Sequence, residues 1–212
     1  MSRGTVTRRL ADQPLRNLGV LGAGLVLAST AAFGGLEPVE AAGPAPFELG
    51  AQVTAAPFEI TVDRAVWVDE LPGVYLLDDS NRWLALVATV VNTHTESLGY
   101  ELTEAVMLVG VEGLLREPLE GTAAVVSSEQ SVLADGSRLS PVQPGLPYEM
   151  VFLFEQDGSV PPPTEVTVQI AAHTWRADSF DGFFSWLDPT VVAEGTVPIR
   201  PAVDSTDGEA AS

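Results

Sequence analysis

Apolar and polar residues alternate along much of the middle of this chain, and this period of two constrains the fold more than any other feature. The alternation runs through residues 58–68, 148–155 and 165–172. In a β-strand successive side chains point to opposite faces, so a segment of this kind buries one face and exposes the other. The pattern therefore predicts three half-buried strands.

Residues 83–91 (WLALVATVV) differ in being apolar on both faces. A strand with this composition is covered on both sides and lies centrally in a sheet. Shorter runs give five further candidate strands, at residues 49–53, 106–109, 123–127, 131–134 and 191–199.

The joints between these segments have the composition of turns. Asp135-Gly136 predicts a tight hairpin because this dipeptide tolerates the positive φ of a primed turn. Asn92-Thr93 ends the central strand, and the three prolines at 161–163 cannot lie within a hydrogen-bonded ladder. About eight short strands joined in this way predict an all-β, antiparallel β-sandwich. Residues 180–187 (FDGFFSWL) are the one compact apolar run compatible with a helical turn.

The charge of the chain changes sign near residue 37. The net charge is −19, but residues 1–36 hold four arginines against Asp12, whereas residues 37–212 hold six arginines against 28 acids. Residues 17–36 carry no charge, and about 20 helical residues span the roughly 30 Å of a bilayer core. Arginines before this segment and acids after it predict a cytoplasmic N-terminus and an extracytoplasmic C-terminal part at the cell membrane.

Two interpretations of this segment stay open. It is either an uncleaved signal anchor or a cleaved secretory peptide, with an apolar core at 18–28 and small residues at 30–32. The uncharged stretch is longer than the 7–15 residues of a typical cleaved core, which favours the anchor. We therefore predict five regions: a short basic cytoplasmic segment (1–16), an anchor or signal segment (17–36), a proline-containing linker (37–46), the β-sandwich (47–200) and a disordered acidic tail (201–212).

Four segments together resemble a known pattern: PFEITVDRAVWVDE, NRWLALVATVVNTH, LSPVQPGLPYEMVFLFEQ and WLDPTVVAEGTVPI. They resemble the immunoglobulin-like extracytoplasmic modules of unknown function found in membrane-anchored proteins of high-GC bacteria, over about residues 47–199. The resemblance implies an immunoglobulin-like sandwich behind a single N-terminal anchor. It implies no catalytic residues, because the function of these modules is not established.

The composition excludes several kinds of chemistry. The chain has no Cys and no Lys, so it cannot form a disulfide, a thiolate metal site or a Schiff base. Its negative charge argues against a nucleic-acid partner. There is no Gly-x-Ser-x-Gly elbow for a serine hydrolase, and His94 and His173 are interpreted as exposed or edge residues. We predict no enzymatic activity and no cofactor.

An acidic loop around LPGVYLL gives the weak candidates for a metal site. Calcium prefers oxygen ligands, although the loop lacks the spacing of an EF-hand, and a solvated acidic loop is the other interpretation. A second acidic group surrounds FDGFFSW and is interpreted in the same two ways. The first group comprises Asp69, Glu70, Asp78 and Asp79, and the second comprises Asp178, Asp181 and Asp188.

An aromatic cluster gives the candidates for partner binding: Phe180, Phe183, Phe184 and Trp186. The cluster is either a lid on the open end of the sandwich or an exposed interface. A membrane-surface role is disfavoured because the flanks are acidic. The sequence thus predicts a non-enzymatic, membrane-anchored extracytoplasmic module that binds another envelope or membrane protein. The alternatives are a protein that binds divalent cations or small ligands through the acidic loop and, less favoured, a carboxylate hydrolase.

Overall fold

The structure is a computed structural model that describes residues 43–71, 73–138 and 141–202. The predicted cytoplasmic segment and the predicted anchor lie outside these residues, as do most of the predicted linker and tail. Within the described residues, no helix is long and apolar enough to cross a membrane.

The described part of the chain forms ten strands and one short 3-10 helix. In chain order they are β1 Ala45–Pro46, β2 Gln52–Ala55, β3 Phe58–Val68, β4 Arg82–Asn92, the 3-10 helix Tyr100–Glu104, β5 Val106–Val109, β6 Ala124–Val126, β7 Glu129–Val132, β8 Pro147–Gln156, β9 Glu165–Ala177 and β10 Phe184–Pro201. Each predicted strand overlaps an observed one, which confirms the all-β class.

The strands form one curled sheet in the order β6-β5-β9-β10-β3-β4-β8-β7, with β1 on β10 and β2 on β3. β10 joins the two halves, because residues 184–198 pair with β9 and residues 199–201 pair with β3. The pairs β10–β3 and β1–β10 are parallel, so the prediction of a purely antiparallel sandwich is wrong at these two places. The hairpin with β9 fixes the direction in which β10 runs, and β3 and β1 meet it in that direction.

The two halves of the curled sheet enclose one apolar core, as in a β-sandwich. Burying a Val, Leu, Ile or Phe side chain stabilises a fold by about 1.5–3 kcal/mol. The core residues from one half include Phe58, Ile60, Leu84, Leu86, Phe152 and Phe154, and those from the other half include Leu108, Val166, Val168, Ile170 and Val197.

Two predictions about local structure need correction or refinement. Residues 180–187 do not form a helical turn, because residues 184–187 pair with residues 174–177 of β9. This pairing satisfies backbone groups that an isolated helical turn would leave exposed. Ala45 and Pro46, which fall at the end of the predicted linker, already pair with β10.

The described residues between β3 and β4 lie over the outer face of the sheet, and we call residues 69–71 and 73–81 the flap. Leu71, Val74 and Leu76 of the flap pack on an apolar patch of β4 and β8. The patch consists of Trp83, Ala85, Val87, Val151 and Leu153. This is why β4 is apolar on both faces, as the sequence predicted: one face meets the core and the other meets the flap.

A buried carboxylate fastens the flap. Glu155 is 5% exposed, and its Oε1 accepts hydrogen bonds from the Leu77 amide at 2.6 Å and from Asn81 Nδ2 at 2.8 Å. Gly158 is required close by, because a Cβ at this position would lie 1.6 Å from the Ser80 carbonyl oxygen. Side-chain and backbone contacts therefore hold the second half of the flap against the end of β8.

We expect Glu155→Ala to lower the free energy of unfolding by about 2–3 kcal/mol, because it leaves two donors without their acceptor. Amide hydrogen exchange at Leu77 should accelerate in the same variant. The matched control is Glu149→Ala, which removes an exposed carboxylate of β8 paired with Arg64 and should cost less than about 1 kcal/mol. Denaturant unfolding measures both, and equal effects would contradict the fastening role.

Candidate functional site

The candidate site is the hairpin formed by the end of β9 and the start of β10. The strands pair from Thr174 opposite Leu187 to Ala177 opposite Phe184. The turn is closed by two backbone hydrogen bonds, from Asp178 N to Phe183 O at 2.8 Å and from Gly182 N to Asp178 O at 3.0 Å. We call residues 174–187 the aromatic hairpin.

Aromatic side chains pack against one another along this hairpin. Trp175 lies directly opposite Trp186, with ring centroids 5.4 Å apart, and Phe184 lies 6.0 Å from Trp175. His94, in the loop after β4, is 4.9 Å from Trp175 and 5.5 Å from Trp186. Tilted and edge-on aromatic pairs of this kind add about 0.5–1.5 kcal/mol each beyond the area they bury. The four rings therefore fix the hairpin to the end of the sandwich.

The four aromatic residues predicted from the sequence divide into two groups. Trp186 is half-buried and packs against the core, as a lid would. Phe180, Phe183 and Phe184 are 98%, 74% and 62% exposed, as an interface would be. Trp186 therefore fits the lid interpretation, whereas the three phenylalanines are exposed to solvent and fit the interface interpretation.

Sequence reasoning missed Trp175 and His94. Trp175 was not included because it lies in β9, outside the compact apolar run 180–187. The signal that identifies it is the hairpin itself, since a turn at Asp178–Gly182 places position 175 opposite position 186. No local signal points to His94, which comes from a distant part of the chain.

The acids around the hairpin are engaged in local contacts. Asp178 Oδ1 accepts a hydrogen bond from the Phe180 amide at 2.6 Å, and Asp181 Oδ1 accepts one from the Phe183 amide at 2.9 Å. Asp188 forms a two-pronged ion pair with Arg176, and the hydrogen bond from this arginine lowers the pKa of the Asp188 carboxyl. The two hydrogen bonds stabilise the turn, and the ion pair joins β9 to β10.

The acidic loop is part of the flap and shows a similar arrangement. Asp78 accepts hydrogen bonds from the Ser80 hydroxyl at 2.6 Å and the Ser80 amide at 2.9 Å, and these bonds lower the pKa of its carboxyl. Asp69, Glu70 and Asp79 are exposed, and Glu70 and Asp79 border an open cleft of about 390 Å³. Within residues 43–71, 73–138 and 141–202, no three acids or histidines come close enough to hold a metal ion.

His173 is buried, so its interpretation as an exposed or edge residue is wrong. It is 6% exposed in β9, and its Nδ1 has no hydrogen-bond partner among the described residues. Desolvation lowers the pKa of His173, and the carboxylates of Glu104 and Glu101 offset this only in part. The imidazole is therefore neutral at pH 7.

This burial predicts an acid-sensitive stability. The unfolded chain binds a proton at the ordinary histidine pKa of 6.5, and the folded chain binds it only at a lower pH. The contribution of neutral His173 is thus present above pH 6.5 and is lost as the pH falls through the folded pKa. We expect His173→Leu to flatten the dependence of the free energy of unfolding on pH below 6.5, the ordinary pKa of histidine. Urea unfolding at several pH values measures this, and parallel curves for variant and parent would contradict it.

Comparisons with known proteins give no family for this chain: no family model and no curated protein matches it. Two solved structures are similar in outline. An uncharacterized β-sandwich protein from Clostridium difficile 630 has 14% identity and a TM-score of 0.46, with 74% of this chain and 96% of that chain covered. A "putative lipoprotein" from Staphylococcus aureus subsp. aureus NCTC 8325 has 7% identity and a TM-score of 0.43, with 73% and 95% covered. The β-sandwich assignment rests on the strand pairing described above.

Proposed function

We propose that this protein is a non-enzymatic, extracytoplasmic interaction module that binds another envelope or membrane protein through the aromatic hairpin. The observation that carries the proposal is the exposure of three phenylalanines in and next to the turn of the hairpin: Phe180, Phe183 and Phe184. Exposed clusters of large apolar side chains mark interaction sites, and aromatic residues are enriched among those that dominate binding energy.

The base of the hairpin supports the same proposal. Trp175, Trp186 and His94 pack together beneath the tip, and the Arg176–Asp188 ion pair lies beside them. A surface held in place in this way loses less conformational freedom on binding than a mobile loop. The packing at its base therefore restricts the movement of the hairpin that carries the three exposed rings.

The side chains available for catalysis support a binding role over an enzymatic one. Neither histidine is arranged as a general base: His173 is buried with Nδ1 unpartnered among the described residues, and the His94 ring packs against two indole rings. The composition supplies no cysteine or lysine nucleophile. Asp178, Asp181 and Asp188 are hydrogen-bonded within the hairpin.

The proposal places the module outside the cytoplasm, with residues 17–36 as its membrane anchor and an immunoglobulin-like strand arrangement in the sandwich. The uncharged stretch, the four arginines ahead of it and the acidic remainder support this topology. A tether of this kind raises the effective concentration near a membrane partner, so a weak contact through three phenylalanines is sufficient.

The anchor predicts the mass and location of the mature protein. We expect the full chain to sediment with membranes and to stay there after alkaline carbonate extraction, with an intact mass that includes residues 17–36. Cell fractionation followed by mass spectrometry measures both. A soluble product that begins near Phe33 would instead show a cleaved secretory peptide.

The binding role predicts that removal of the exposed rings dissociates this protein from its partner without unfolding the domain. We expect the double variant Phe180→Ala/Phe183→Ala to run on native gels of gently solubilised membranes at a lower mass than the parent chain. Truncating one of the few residues that dominate an interface costs about 2 kcal/mol or more of binding free energy. The melting temperature should change little, because both rings are in solvent.

The matched control is Tyr75→Ala/Leu77→Ala in the flap. These side chains are 90% and 83% exposed and lie at the other end of the sandwich. The control should leave the complex intact. The proposed function would be contradicted if the complex persists in Phe180→Ala/Phe183→Ala, or if it is lost equally in that variant and in the control.

A further inference from the structure

The direction of β1 shows from which end the chain enters the domain. β1 runs parallel to β10, with Ala45 beside Ala193 and Pro46 beside Glu194. Because β10 begins at the aromatic hairpin, the residues just before Ala45 run alongside β10 from the hairpin side. The chain therefore enters the described domain from the hairpin side.

The chain leaves the described domain at the opposite end. Residues 199–201 of β10 pair with residues 65–67 of β3, next to the flap, and the Ala202 amide donates to Trp67 O at 3.0 Å. The domain therefore has a polarity along β10, with the hairpin on the side where the chain enters and the flap on the side where it leaves.

The reach of the linker is similar to the length of the hairpin. Residues 37–44 separate the uncharged stretch from β1, and eight extended residues span at most about 28 Å. From Ile170, opposite Ala193, β9 continues for seven residues to Ala177, which corresponds to about 23 Å at 3.3 Å per residue. Under the proposed topology, a linker of this length allows the hairpin tip to reach the surface of the bilayer.

The charges at the tip indicate whether the hairpin binds the hydrocarbon of a membrane or a protein surface. Asp178 and Asp181 accept hydrogen bonds from the amides of Phe180 and Phe183, and these bonds hold both carboxylates beside the rings. Arg176 supplies no compensating charge, because Asp188 pairs with it. Carboxylates held beside the rings oppose insertion into hydrocarbon, where a charge is costly. They favour an apolar groove bordered by basic side chains, which complements both features of the tip.

We infer that the partner of the aromatic hairpin is an integral membrane protein of the same membrane, with an apolar groove edged by Arg or Lys at its extracytoplasmic surface. This inference rests on the proposed function and adds the location and chemistry of the partner. The phenylalanine rings fill the groove, and the two carboxylates pair with its basic rim.

The test uses a photo-crosslinking amino acid, benzoylphenylalanine, placed at position 180 of the full chain in native membranes. The matched position is 75, which also holds an aromatic residue, is 90% exposed and belongs to the flap. We expect irradiation to give at position 180 a protein adduct that resists carbonate extraction, with the crosslinked peptide next to a membrane span and containing Arg or Lys. Position 75 should not give this adduct.

Charge reversal provides the second arm. Asp178→Lys/Asp181→Lys should lower the yield of the adduct at position 180 roughly tenfold, since like charges would then meet across the contact. The control Asp69→Lys/Glu70→Lys, which makes the same charge change in the flap, should leave the yield unchanged.

The outcomes separate the inference from the proposed function. An adduct to lipid alone, an adduct to a protein that carbonate releases, or a yield insensitive to Asp178→Lys/Asp181→Lys overturns the inference. If a carbonate-released protein is found and the native complex still depends on Phe180 and Phe183, the proposed function stands. If no protein adduct forms and the complex is insensitive to the two rings, both fail.

Discussion

The pairing of β10 with two different strands is the constraint on which the rest of this structure depends. Residues 184–198 follow β9, and residues 199–201 follow β3. One strand thus belongs to both halves of the curled sheet and closes them over a common core. Gly195 lies on this strand where Phe47 passes, because a Cβ there would lie 2.6 Å from the Phe47 carbonyl oxygen. The same strand also begins at the exposed Phe184 and pairs with the entering chain at β1.

Much of the fold could be predicted because its strands obey a local rule. The alternation at 58–68 predicted β3, and the observed burial alternates along its first half as expected. The Asp135-Gly136 turn was predictable in part. Gly136 has φ of 65° and its amide donates to Val132 O, but Asp135 does not have a positive φ, so the loop at 133–136 is not the tight primed turn that was predicted. What failed was the direction of two strand pairs and the helical turn at 180–187. Periodicity shows which face of a strand is buried, but it does not show which strand lies beside it.

The candidate site was predictable only in part, for the same reason. The phenylalanines at 180, 183 and 184 are close in sequence, so their cluster was visible. His94 reaches Trp175 and Trp186 from another part of the chain, and only the strand order brings them together. The flap is similar: its acids suggested a cation site, whereas its apolar residues and Glu155 show that it covers the outer face of the sheet.

The sequence by itself determined the all-β class, the positions of the strands and turns, and a charge distribution with +3 before residue 37 and −22 after it. These properties depend on neighbours within a few residues or on sums along the chain, so they can be obtained without coordinates. The tertiary structure alone decided that β10 bridges the two halves, that Glu155 fastens the flap and that His173 is buried. It also decided that the chain enters from the side of the hairpin. Each of these depends on contacts between residues far apart in sequence, which local periodicity and composition do not specify.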